Sequence, residues 1–185
     1  MKKILYSMLA AGLILFTSCQ KDEPGGTAVE AMSGQWYVQV DGYSLTEDKV
    51  IVEDFNEGRC LMLTYNNNSN DPKRLYITDY VKDKVGFWDF TVEVDCDLKT
   101  LTFTSNGEVD NESYESKVTI SNGMIVKGGT KTPSGATADY IQFDVTFDDD
   151  DLANYGMPGV SYGDYYGFDV YRVSGWRYTG LTADD

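Results

Sequence analysis

The sequence predicts an all-β fold, a single antiparallel up-and-down β-barrel of about 8–10 strands. Three observations predict it. Apolar residues recur at every second position through most of the chain, clusters of turn formers separate the alternating segments, and no stretch of helical length keeps a 3.6-residue period. Clean alternation means one dry and one wet face, which marks an antiparallel sheet not sandwiched between helices. So many strands must close into a barrel or split into two packed sheets, because an open sheet leaves its apolar face and its edges in water. Consecutive hairpins favour the barrel; a two-sheet sandwich is the alternative.

The elements follow in order. Trp36, Val38 and Val40 alternate with Gln35, Tyr37 and Gln39 in a half-buried strand. Leu61, Leu63 and Tyr65 alternate with Cys60, Met62 and Thr64 in a less polarised one. The clearest alternation sets Trp88, Phe90, Val92, Val94 and Cys96 against Asp89, Thr91, Glu93 and Asp95, before the chain turns into Leu101-Thr102-Phe103. Tyr114 to Ile120 and Met124 to Lys127 read as a hairpin closed by Ser121-Asn122-Gly123, since Asn-Gly between β-rich runs is a strong turn signal. Ile141, Phe143, Val145 and Phe147 form another dry face opposite Tyr140, Gln142 and Asp144. The last strand runs from about Gly167 to Ser174, with a short one over Arg177 to Thr179.

The first 18 residues read as a lipoprotein signal peptide. Lys2 and Lys3 precede an apolar run from Ile4 to Phe16, too short to span a bilayer and placed where a secretory core belongs. Thr17-Ser18 then presents Cys19 for diacylglyceryl transfer, which predicts an exported protein held to a membrane by lipid on Cys19. Residues 19–33, with Pro24-Gly25-Gly26, read as the lipidated cysteine and a flexible tether, and residues 34–185 as the barrel domain.

The formal net charge is -15, from 30 acidic and 15 basic residues. A surface this negative repels phosphate backbones and anionic headgroups, which excludes nucleic acid as a partner. Two cysteines besides Cys19, Cys60 and Cys96, allow one disulfide at most and no four-thiolate metal site. Cys96 shares a face with Val92 and Val94, as a small buried hydrophobe does.

Several segments together resemble a family of Bacteroidetes lipoproteins named for a lipid-binding putative hydrolase domain, similar to lipocalin-like barrels. They are Leu63-Thr64-Tyr65-Asn66, Lys99 to Phe103, Thr132-Pro133-Ser134-Gly135 with Asp139 to Phe143, and the ending Val173-Ser174-Gly175-Trp176-Arg177-Tyr178-Thr179-Gly180. The resemblance spans roughly Gly34 to Leu181 and implies an extracytoplasmic β-barrel; a family name does not establish an activity. Lys21-Asp22-Glu23 behind Cys19 resembles the surface-export signal of such bacteria, which implies the cell surface, with the periplasmic face as the alternative.

The chain has no histidine and no Gly-x-Ser-x-Gly elbow, so serine–histidine and cysteine–histidine catalysis and histidine-ligated metals are excluded. A carboxylate-dependent hydrolase remains a third functional class, since acidic side chains are plentiful, with no pair singled out. Asp148-Asp149-Asp150-Asp151 lacks the glycine and closing glutamate of a standard calcium loop and reads as a solvated loop, with weak calcium binding as the alternative. No cofactor is expected.

Tyr155, Tyr162, Tyr165, Tyr166 and Tyr171 crowd together among Gly156, Gly159, Gly163 and Gly167. Tyrosine offers a rigid apolar ring and a hydroxyl at low entropic cost, so this segment is the first candidate for a ligand-facing loop. Trp36, Trp88 and Phe90 are inward candidates for a cavity, or equally for a filled core. Trp176, Arg172 and Arg177 are read first as a lock on the terminal strand and second as capture of an acidic headgroup. The leading function is non-catalytic binding of a hydrophobic or amphipathic small ligand; the second is a protein or glycan interaction module on the tyrosine loops.

Overall fold

A computed structural model describes residues 26–79 and 86–184. The signal peptide and Cys19 lie outside the described residues. The strands are β1 (Gly34–Ser44), β2 (Lys49–Val52), β3 (Cys60–Asn66), β4 (Arg74–Thr78), β5 (Thr91–Asp97), β6 (Thr102–Thr104), β7 (Val109–Asp110), β8 (Lys117–Lys131), β9 (Thr137–Phe147) and β10 (Val170–Arg177). Eight of them, β1, β3, β4, β5, β6, β8, β9 and β10, follow one another round a closed ring, each antiparallel to the next. β10 seals the ring on β1 in continuous register from Trp36 opposite Arg177 to Tyr43 opposite Val170. The fold is the up-and-down barrel rather than the sandwich. β2 and β7 extend β1 and β8 outside the ring.

Period-two alternation sets the inside and the outside. Phe90, Val92 and Val94 are buried, as are Ile141, Phe143, Val145 and Phe147. On β3 the inward set is Cys60, Met62 and Thr64, while Leu61 and Leu63 lie half-buried on the outer wall and Tyr65 stacks on Tyr76 there. Trp36, Val38, Val40, Met62, Leu75, Ile77, Phe90, Val92 and Phe143 all have 0% accessible surface. Zero accessible surface leaves no space beside these groups for even a water-sized sphere, so the middle of the barrel is a packed core and not a ligand chamber. Trp36 and Phe90 therefore serve that core. Cys60 and Cys96 are both free; burial first, and the Asp79 charge second, push the Cys60 thiol up to about 12, which leaves it an inert thiol.

Three local readings are corrected. The Ser121-Asn122-Gly123 segment is not a hairpin turn: β8 runs unbroken through it, and the register with β9 shifts between Ser121 and Met124. Asn122 takes the left-handed conformation, φ 53°, that a turn would have needed, and it spends it on a bulge that bends the long strand. Gly123 is required because a Cβ there would meet Phe103 Cδ2 at 2.3 Å and the Phe103 carbonyl oxygen at 2.4 Å. Secondly, the core begins before Gly34. Residues 27–32 form a turn in which Met32 N–H donates to the Val29 carbonyl, and Val29 and Met32 are both 0% exposed inside the barrel end. Lastly, the terminal strand reaches Arg177 unbroken, and Tyr162–Tyr166 before it is a short helix, α1, capped by Ser161 with Asp164.

Candidate functional site

The two ends of the barrel differ. At the end where β1 begins, Trp36 donates from Nε1 to the Thr64 hydroxyl at 2.8 Å, and Thr64 donates to the Met32 carbonyl at 2.6 Å. Arg177 covers this end, its guanidinium 4.7 Å from the Trp36 ring centre, donating to Asp139 at 3.0 Å and to the Ser33 carbonyl at 2.7 Å. Every polar group in that chain has a partner within the fold, so Arg177 locks the terminal strand and shuts the lower end. Trp176, one residue earlier, points the opposite way onto the outer wall. There Arg59 lies 4.2 Å above its ring, Tyr37 meets its edge, and Nε1 has no hydrogen-bond partner. Trp36, Trp176 and Arg177 thus do not join the tyrosines.

The opposite end gathers them. Trp88 stacks flat on Phe147, centroids 4.4 Å apart and planes 6° from parallel, and donates from Nε1 to Asp149 at 3.1 Å. Tyr171 and Phe168 meet Phe55 below, and Tyr162 meets both Phe55 (5.3 Å) and Trp88 (6.3 Å) above. Tyr162 also touches Tyr155 at 6.4 Å and Tyr166 at 6.5 Å, the latter pair one helical turn apart on α1 with planes 4° from parallel. Aromatic contacts therefore run without a break from the core at Phe90, through Phe87 and Trp88, to rings standing in solvent. Tyr155 is 71% exposed, Tyr165 57% and Tyr166 49%. Leu152, Met157, Tyr155, Tyr162, Tyr165 and Tyr166 enclose a hollow of about 230 Å³.

The four-aspartate run builds this platform. Asp148 accepts from the Lys117 N–H, and Asp149 from Trp88 and from the Tyr114 hydroxyl. Asp150 accepts from the Tyr162 N–H at 2.9 Å and from the Tyr171 hydroxyl at 3.0 Å, and Asp151 from the N–H groups of Ala153 and Gly159. Each carboxylate serves a different segment, and among the described residues no group of three acidic side chains is placed to share a cation. Burial holds the Asp150 carboxyl above its usual range, and burial likewise holds the Tyr162 and Tyr171 phenols up, so these rings are neutral at physiological pH.

A fully buried carboxylate holds the Trp88 segment. Asp79, 0% exposed, accepts from three successive backbone N–H groups, Trp88 (2.8 Å), Asp89 (3.0 Å) and Phe90 (2.6 Å). Burial pushes its carboxyl up to about 6 against the pull of those donors. The folded value exceeds the unfolded one, so the stabilisation carried by the Asp79 proton is complete below the unfolded value and is lost as pH rises through about 6. Folding stability should therefore gain on the order of 1–2 kcal/mol from this group between pH 7 and pH 5. Urea unfolding at both pH values checks it: Asp79→Asn should show a smaller gain than the parent, and an equal gain would remove Asp79 from the account.

The sequence pointed to the tyrosines and Trp88. It missed Phe55, Leu152, Met157 and Asp79, which sit in loops without a periodic pattern and acquire their places only through closure of the barrel, and it put Phe168 in the last strand, which begins only at Val170. A separate surface trough, about 670 Å³, lies beside Cys96, Phe103 and Met124, where β6 is only three residues long. It is shallow, its floor formed by Phe103 at 3% exposure.

The profile of a family described as lipid-binding putative hydrolase matches residues 21–182. A search of curated proteins finds no match. The matched span covers most of the sequence, and the chain belongs to that family.

Proposed function

We propose that this member of the lipid-binding family is an extracytoplasmic lipoprotein, anchored in the outer membrane through Cys19, that binds an amphipathic or lipid-like ligand at its tyrosine-rich end without chemical conversion. The observation that carries the reading is the contrast between the two parts of the aromatic array. The rings in the barrel are sealed, whereas those above Trp88 are exposed on a rigid platform, and exposed aromatic area is what a soluble domain retains for recognition. Family membership supports a lipid-like ligand. Absence of catalysis rests on the lack of histidine and on the buried Asp79 and half-buried Asp150 at this end being spent on the scaffold. The cell-surface location rests on Lys21-Asp22-Glu23, with the periplasmic face as the other outcome of a surface-labelling test.

The protein extracted gently from membranes and analysed by native mass spectrometry should carry amphiphile that Tyr155→Ala/Tyr166→Ala protein loses. A bare mass for the parent protein, together with binding of oligosaccharides to the same tyrosines, would replace the lipid reading with the glycan one. Cys19→Ala should release the chain from the membrane fraction and abolish incorporation of labelled fatty acid.

A further inference from the structure

The tyrosine hollow has a chemical bias that apolar contact alone does not explain. Its lining combines π faces with few aliphatic groups: four tyrosines against Leu152 and Met157. Tyr162 and Tyr166 stand 4° from parallel with centroids 6.5 Å apart, while Tyr155 is turned 76° from Tyr162 and Tyr165 88° from Tyr166, so the rings bound the hollow in more than one plane. Among the described residues nothing cationic lines that space. Among the described residues each arginine packed on an aromatic ring sits elsewhere, on Trp176, Tyr43 and Trp36. The loops that carry the tyrosines contribute Asp150, Asp151 and Asp164 and no lysine or arginine between Asp148 and Tyr171. A volume of about 230 Å³ is smaller than the pocket of a whole drug-sized ligand and suits one headgroup.

We infer that the hollow is a cage for a methylated ammonium group, the headgroup of a choline-type amphiphile. This rests on the amphiphile-binding reading above and specifies its headgroup. A quaternary ammonium is weakly hydrated, cannot satisfy a carboxylate by hydrogen bonding, and gains most from several aromatic faces at once. The acidic loops add long-range attraction without direct contact. An anionic headgroup is rejected by the same field.

Calorimetric titration of the full chain at low ionic strength tests this with four probes, the amphiphiles kept below their micelle concentrations: decyltrimethylammonium, an uncharged isostere with a tert-butyl end made soluble by an oligo(ethylene glycol) spacer, decyl sulfate and tetramethylammonium. Decyltrimethylammonium should bind about tenfold more tightly than the isostere, and decyl sulfate least. Tyr155→Leu and Tyr165→Leu, both at exposed positions, should abolish that preference with unfolding temperatures unchanged, whereas Tyr155→Phe should keep it. Equal binding of cation and isostere would overturn the ammonium cage and leave the amphiphile reading intact. A preference that survives both leucine variants would also overturn it, since net charge alone would then be the cause. Tetramethylammonium binding as tightly as the decyl compound would keep the cage and contradict the amphiphile reading; no binding of any probe would end both.

Discussion

Arg172→Ala should lower stability by about 3–5 kcal/mol, the cost of stranding a buried charge. Asp144 lies on the outer face of β9 yet is 0% exposed, because Arg172 from β10 covers it with two hydrogen bonds, Nε to Oδ1 at 2.7 Å and a terminal nitrogen to Oδ2 at 3.0 Å. Asn122, in the β8 bulge, donates to Oδ2 at 2.8 Å, and the Arg172 guanidinium rests 3.3 Å from the Tyr43 ring centre on β1. One carboxylate thereby ties three strands together, and the arginine carries the tie to a fourth. Removing Arg172 leaves Asp144 with one donor in a dry place. For a domain of this length the loss corresponds to a fall in unfolding temperature of about 6–20 °C. The double variant Asp144→Leu/Arg172→Met should recover most of it, because the penalty belongs to the orphaned charge and not to the absence of an attractive pair. A fall of under 3 °C in the single variant would show that Asp144 finds water once uncovered.

A chain started at Gly34 should be the other severe lesion. It lacks Val29 and Met32, each 0% exposed, whose burial contributes roughly 1.5–3 kcal/mol apiece. It also removes the Met32 carbonyl that takes the Thr64 proton and the Ser33 carbonyl that takes the Arg177 one, leaving polar groups at the sealed end without partners. Comparison of thermal unfolding for chains beginning at 26 and at 34 should show the shorter one melting at least 10 °C lower or not folding at all. In the longer chain Met32→Ala alone should cost about 2–5 kcal/mol. Equal melting of the two chains would restore the tether as the correct reading of this segment.

The sequence made the walls legible because side-chain alternation is a local property. Phe90, Val92 and Val94, or Ile141, Phe143 and Val145, declare their face from spacing alone, and the core confirms them. Asn122-Gly123 misled because a left-handed residue followed by glycine serves a bulge as well as a turn; the difference lies in whether β6 and β9 are there to pair on either side. Val29 and Met32 were hidden by their company: two apolar residues three apart among Glu30, Ala31 and Ser33 carry no periodicity, and only the open end of a barrel gives them a place to go. The tyrosine segment was visible through composition, but its partners were not. Trp36 and Arg177 stand at the far end from Tyr162 because they are paired with each other across β1 and β10, a placement fixed by strand closure and absent from any one segment.

The central claim is that ligand binding happens on the aromatic platform above a solid barrel. Amide and methyl NMR shifts of the isotopically labelled protein during titration with decyltrimethylammonium test it most directly. The predicted result is a set of perturbations confined to Phe55, Trp88 and the segment from Leu152 to Phe168, with Val38, Ile77, Val92 and Val173 unmoved. Perturbations concentrated on those four lumen residues, with the tyrosine segment silent, would place the ligand inside the barrel and contradict the account.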